Sequence, residues 1–307
     1  MYSLRPLLSF VALTASVFAQ DPAGKKAPPP LPPNVIAHRD LAYVEGGHER
    51  QKLDLYLPKD ARGPLPVIIW VHGGGWQNGS KANAFPLRFG FTAQGYAIAS
   101  IGYRLTDTAT FPSQIQDVKA AIRWLRAHAK NYRLAPDRFA AWGSSAGGHL
   151  VALLGTTGDI KAFDVGAYRE HSSRVQAVVD YYGPSDFLRF VTTSRYEMHG
   201  RADSPESKLI GGTVSENKDK AATASPVTYV SKDDAPFLIL HGAADPTVPI
   251  NQSETLHAAL VKVGATSTLH VLPGAKHGGP EFSSPESLGW VESFLAQYLK
   301  PPGAATK

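Results

Sequence analysis

Gly143-Ser144-Ser145-Ala146-Gly147 sets a hydroxyl between two glycines, each two residues away. A serine held in a sharp turn can attack a carbonyl carbon, and glycines at those offsets remove side chains that would clash there. The register selects Ser145, because Ser144 lacks glycines at both offsets. His72-Gly73-Gly74-Gly75-Trp76 offers a second piece of the same chemistry. Acyl transfer drives negative charge onto an oxygen, which preorganised N–H groups must meet. The amides of Gly74, Gly75 and Ala146 are the donors expected. Asp245, in Leu240-His241-Gly242-Ala243-Ala244-Asp245-Pro246, adds a carboxylate, and His277, in Gly274-Ala275-Lys276-His277-Gly278, adds an imidazole.

Each piece also has a plain reading. G-x-S-x-G alone fits a glycine-rich turn or a phosphate cradle, although a P-loop lysine and the G-x-G-x-x-G fingerprint are both missing. His72 is best read as holding its own loop. Asp245 alone is an Asp-Pro turn residue, and His277 alone an ordinary loop histidine. Asp180 and Asp186 compete for the acid but flank an earlier strand; His270 and His149 read as packing residues. Trp76 could line an alcohol or sugar site or pack the loop. Phe187 and Tyr196, with Phe190 and Met198, could wall an acyl pocket or belong to the core. The eleven histidines form no H-E-x-x-H and the chain has no cysteine, so a catalytic metal is not expected.

The elements that must position these residues are legible from hydrophobic pattern. Leu53 to Leu57 alternates and stops at Pro58, as an antiparallel edge strand would. Val67 to Val71 and Ala97 to Ile101 read as strands buried on both faces, and Arg138 to Trp142 as a short strand. Val175 to Tyr182, Phe237 to Leu240 and Thr268 to Leu272 are further strands, and the segments 113–131, 147–154, 253–263 and 285–299 are helical. Buried strands alternating with helices imply an α/β domain, a mostly parallel central sheet with helices on both faces, over 36–300. Ser145, Asp245 and His277 each follow a strand, so all three should meet at one sheet edge. Residues 183–225 break the rhythm and read as a lid-like insertion.

The remaining features bound the surroundings. With 43% hydrophobic and 19% charged residues, the chain has the balance of a folded domain. Its formal net charge of +5 comes from scattered residues, which gives no basis for a nucleic-acid surface. Residues 1–19 read as an export signal, with Arg5 before an apolar run and Val17-Phe18-Ala19 before a cut, so a periplasmic or secreted protein is expected. That run is too short for a stable membrane span. Residues 20–35 read as a Pro/Ala/Lys-rich linker and 301–307 as a flexible tail. Oligomeric state leaves no trace in the sequence.

Taken together, these motifs resemble a bacterial α/β-hydrolase esterase of the acetylxylan/feruloyl-esterase-like branch, with a hormone-sensitive-lipase-type His-Gly-Gly-Gly loop. The likeness runs from about Val44 to Leu299 and includes Tyr103-Arg104-Leu105, Asp117 to Arg126, Tyr182-Gly183-Pro184 and Ala224-Ser225-Pro226. The chain order Ser145, Asp245, His277 is that of the α/β-hydrolase triad. The resemblance implies hydrolysis of carboxylic esters, of short-chain acyl or carbohydrate-linked acetyl or feruloyl type, without a cofactor. A peptidase or amidase of the same fold and a non-catalytic binding protein on that scaffold are the alternatives. The arginines and aspartate of the helical stretches are expected to pin loops.

Overall fold

A computed structural model describes residues 30–300; the export signal, most of the linker and the tail lie outside the described residues. The elements below belong to one compact unit that begins at Pro32. Eight strands form one sheet: β1 (Val35–Ala42), β2 (Lys52–Pro58), β3 (Leu65–Val71), β4 (Ala97–Ile101), β5 (Leu134–Ser144), β6 (Ala177–Tyr181), β7 (Phe237–Gly242) and β8 (Ser267–Leu272). Their spatial order is β1-β2-β4-β3-β5-β6-β7-β8. The pairs β1–β2 and β2–β4 are antiparallel, and every pair from β4 to β8 is parallel. The helices are α1 (Phe85–Arg88), α2 (Ser113–Ala127), α3 (Ala146–Thr156), α4 (Phe187–Thr192), α5 (Pro205–Ile210), α6 (Lys218–Thr223), α7 (Asn251–Lys262) and α8 (Pro285–Leu299).

All seven residues of β3 are buried, because successive side chains enter opposite cores. Val67, Ile69 and Val71 belong to the core on one face, with Ile122 and Leu125 of α2, Leu150 and Leu153 of α3, and Leu256 of α7. Ile68 and Trp70 belong to the core on the other, with Val291, Leu295 and Leu299 of α8. The mostly parallel sheet with helices on both faces is thus the observed architecture. One expectation needs correction. Leu53 to Leu57 lies in β2, between β1 and β4, and β1 is the edge strand, which the pattern of Val35–Ala42 did not announce because only Val35 of its eight residues is buried.

The parallel strands all deliver their carboxyl ends to one side, where loops gather in folds of this kind. Segment 183–225 is built from α4, α5, α6 and a turn of 3₁₀-helix (Glu197–Gly200). Asp186 and Ser204 cap α4 and α5 by accepting from the amides of Arg189 and Ser207. Phe187, Phe190, Leu209 and Ala221 anchor the segment in the interior. The helical arginines and aspartate pin loops. Asp117 pairs with Arg104 at 2.7 Å and accepts the amide of Arg104 and the side chain of Gln51, while Arg123 bridges to Asp164 at 3.0 Å.

Candidate active site

Ser145 stands at the junction of β5 and α3 with φ 54° and ψ −122°, a backbone conformation that non-glycine residues rarely adopt. Its neighbours make that turn possible. A Cβ on Gly143 would lie 2.3 Å from the carbonyl oxygen of Gly147, and one on Gly147 would lie 2.0 Å from that of Val71. The turn is pinned from two sides, by the Ser145 amide donating to Tyr181 O at 2.8 Å and the His149 amide donating to Ser145 O at 2.9 Å.

His277, five residues beyond β8, brings Nε2 to 2.8 Å from Ser145 Oγ. Its Nδ1 lies 2.7 Å from Asp245 Oδ2. Three loops from three strands therefore place hydroxyl, imidazole and carboxylate in one hydrogen-bonded line. Asp245 Oδ1 accepts the amides of Thr247 and Val248 at 2.8 and 2.9 Å. Burial alone would raise this carboxyl. The contacts with His241 and His277, helped by the Val248 amide, outweigh it and hold Asp245 well below the ordinary carboxylate range, so it is ionised at neutral pH.

The strand β3 ends in the glycine loop. Gly74 and Gly75 have φ of 114° and 59°, and a Cβ on Gly74 would meet Asn78 O at 2.4 Å. Among the described residues, the N–H groups of Gly74, Gly75 and Ala146 donate to no protein acceptor. His72 is buried beneath them. Its Nδ1 bonds to Gly73 O at 2.8 Å and its ring stacks on Tyr103 at 4.4 Å. Burial pushes it down to about 4, against the Gly73 carbonyl, and a neutral ring with this packing holds the loop.

A cavity of about 510 Å³ joins these groups; its walls include Gly74, Gly75, Trp76, Ser145, Ala146 and His277, with Ser80, Asn83 and Thr247 as polar neighbours. The three aromatic candidates separate. Trp76 lines the cavity but is almost wholly buried, with Nε1 donating to His149 Nδ1 at 3.2 Å. Phe187 is not a cavity wall: it is fully buried, stacked on His149 and edge-on to Trp76. Tyr196 is not one either, because its hydroxyl donates to Asp245 O at 2.5 Å and so braces the acid's loop. His149, between Trp76 and Ala224 O, is a buried packing residue pushed by burial down to about 4, against the bond to Ala224 O. His270 stacks on Trp290 away from the site.

Two site features had no individual signal in the sequence. His241, fully buried, lies with Nε2 3.4 Å from Asp245 Oδ2 and 2.9 Å from Val248 O, while Nδ1 meets Ser253 Oγ at 2.7 Å. It is the next-to-last residue of the buried strand β7, and its four-residue spacing from Asp245 is the available clue. Glu206 and His199, from the 183–225 segment, also line the cavity.

Comparison with known proteins identifies the family and the fold. The BD-FAE family matches residues 53–260. A probable carboxylic ester hydrolase, LipM, of Mycobacterium tuberculosis is 33% identical over 84% of this chain and 60% of its own length. Esterase LipC of the same organism is 33% identical over 88% of this chain and 69% of its own, and the chain spans little more than half the length of most other curated relatives it matches. A solved carbohydrate esterase from gut microbiota superposes with a TM-score of 0.79 at 32% identity, over 87% of this chain and 97% of that one. With its mostly parallel sheet and these matches, the chain belongs to the BD-FAE family and has the α/β-hydrolase fold of the esterases it resembles.

Proposed function

We propose that the chain is a serine carboxylic-ester hydrolase that acts on short-acyl, carbohydrate-linked esters through Ser145, His277 and Asp245. The observation that carries this reading is the unbroken line from Ser145 Oγ through His277 to Asp245, at 2.8 and 2.7 Å, opening into one cavity. His277 Nε2 takes the hydroxyl proton as Oγ bonds to the ester carbonyl carbon. The carbonyl oxygen becomes an oxyanion held by the amides of Gly74, Gly75 and Ala146, and α3 adds its N-terminal partial charge. His277 then gives its proton to the departing alcohol oxygen, leaving acyl-Ser145. Water attacks that ester in turn, its proton passing to Nε2 and back to Oγ as the acid leaves. Asp245, ionised, orients the ring and stabilises it while charged.

The polar side chains of Asn83, His199, Glu206 and Thr247 in the cavity wall and the 32% identical carbohydrate esterase favour carbohydrate esters over long-chain lipids. Export, on the strength of residues 1–19, belongs to the same proposal, as does a covering role for 183–225. The test is a panel of aryl esters of rising acyl length, an acyl anilide, and acetylated and feruloylated xylan, with Ser145→Ala as control. Short esters and acetylated xylan should turn over, the anilide should lag, and Ser145→Ala should lose ~10⁴-fold in rate while staying folded. Retained esterase activity in Ser145→Ala, or a preference for the anilide, would sink the reading.

A further inference from the structure

We infer that Glu206 and His199 form a hydroxyl-recognising subsite, which selects esters whose alcohol part is a sugar or another polyol. The inference rests on the esterase reading above and adds the residues that choose the substrate. Both side chains line the catalytic cavity. Glu206 is 3% exposed, yet among the described residues its only hydrogen-bond partner is His199, whose Nδ1 lies 2.9 Å from Oε2. A carboxylate so deeply buried wants more donors than one. Oε1 is left for whatever enters the cavity.

The pair is held rigidly. His199 stacks on Phe190 at 4.4 Å, which fixes the ring plane. Glu206 follows Ser204, the α5 cap, and Pro205, which packs against the glycine loop so closely that a Cβ on Gly75 would lie 3.4 Å from Pro205 Cβ. Lys208 Nζ, on the same helix, donates to Gln77 Oε1 at 3.0 Å. The subsite is thereby fastened to the loop proposed to hold the oxyanion.

Its chemistry follows from the hydrogen-bond roles. Nδ1 faces the carboxylate, so Nε2 is the ring nitrogen left to a ligand, as Oε1 is the carboxylate oxygen left to it. An anionic acceptor together with an imidazole nitrogen, which donates or accepts according to its proton, suits a ligand whose groups do both, as adjacent sugar hydroxyls do. An alkyl or aryl alcohol brings no donor for Oε1 and displaces the water that could supply one, the kind of mismatch that produces large discrimination. An ammonium group is the other chemistry that could neutralise Oε1, and the experiment separates it.

The readout is the ratio of kcat/KM for a mono-O-acetylated methyl xyloside to that for 4-nitrophenyl acetate, with acetylcholine as a third substrate. Glu206→Gln keeps the shape and replaces the carboxylate by an amide; the sugar-to-aryl ratio should fall ~30-fold or more, with inhibition by free methyl xyloside weakened alongside. His199→Gln should lower the same ratio, and serves alone if Glu206→Gln fails to fold. A ratio within ~3-fold of wild type in a folded variant, or a fall confined to acetylcholine, overturns the inference while leaving the esterase reading intact. A wild-type protein inactive on all three esters overturns both.

Discussion

At the scale of single residues, the site combines a strained serine with charges whose surroundings are set separately. The Ser145 conformation costs about 1–3 kcal/mol and persists because the chain on both sides is fixed in sheet and helix. Asp245 meets two histidines and two amides and stays ionised. Asp180, in β6 below the same turn, is the opposite case. Oδ1 accepts the Gly183 amide at 3.0 Å, while buried Oδ2 has no partner among the described residues. Burial pushes it from 3.8 up to about 6, despite the Gly183 bond and the nearby His241. A carboxyl that binds its proton more tightly when folded stabilises the fold fully at pH below 3.8, and this contribution is lost as pH rises through about 6. Asp180→Asn keeps an oxygen for Gly183 and removes the titration. Between about pH 4 and about pH 7.5, wild type should lose up to ~3 kcal/mol relative to Asp180→Asn, read from paired thermal or denaturant unfolding. Two stability curves that stay parallel across this range would contradict the assignment.

Among elements, the β5–α3 junction is the tightest joint. Gly147 lies so near Val71 O, backbone of a fully buried strand, that a methyl there must displace β3 or α3. Gly289, inside α8, meets nothing within 4 Å of an added Cβ. Gly147→Ala should therefore lose at least ~2 kcal/mol of stability and most of the activity, whereas Gly289→Ala should gain about 0.5–1 kcal/mol from helix propensity. Unfolding midpoints of the two variants check both statements, and a stable, active Gly147→Ala would refute the first. The contrast also explains what could be read from sequence. β3, β5 and β7 were legible because burial on both faces writes a continuous apolar run between Gly and Pro. β1 was not, since an edge strand with one buried residue in eight carries no such run. Phe187 was ambiguous because an apolar residue in a polar segment fits a pocket wall or a core equally, and only its packing between His149 and Trp76 decides for the core.

For the whole molecule, a parallel sheet gathers loops that are far apart in sequence: 132 residues separate Ser145 from His277, and 32 separate Asp245 from His277. Chain order and the position of each residue just past a strand made their meeting readable in advance. The contribution of 183–225 was not readable in that way. Glu206 looks like a first-turn helix residue after Ser-Pro, His199 like a loop residue, and their place in the cavity depends on how the segment folds back over the glycine loop. The central claim is that the imidazole of His277 activates the hydroxyl of Ser145. Fluorophosphonate labelling followed by peptide mapping tests it directly, with wild type compared against His277→Ala. The account predicts one adduct per chain, on Ser145, formed at least ~10³-fold more slowly without the imidazole. An adduct on another residue, or equal labelling rates in the two proteins, would contradict it.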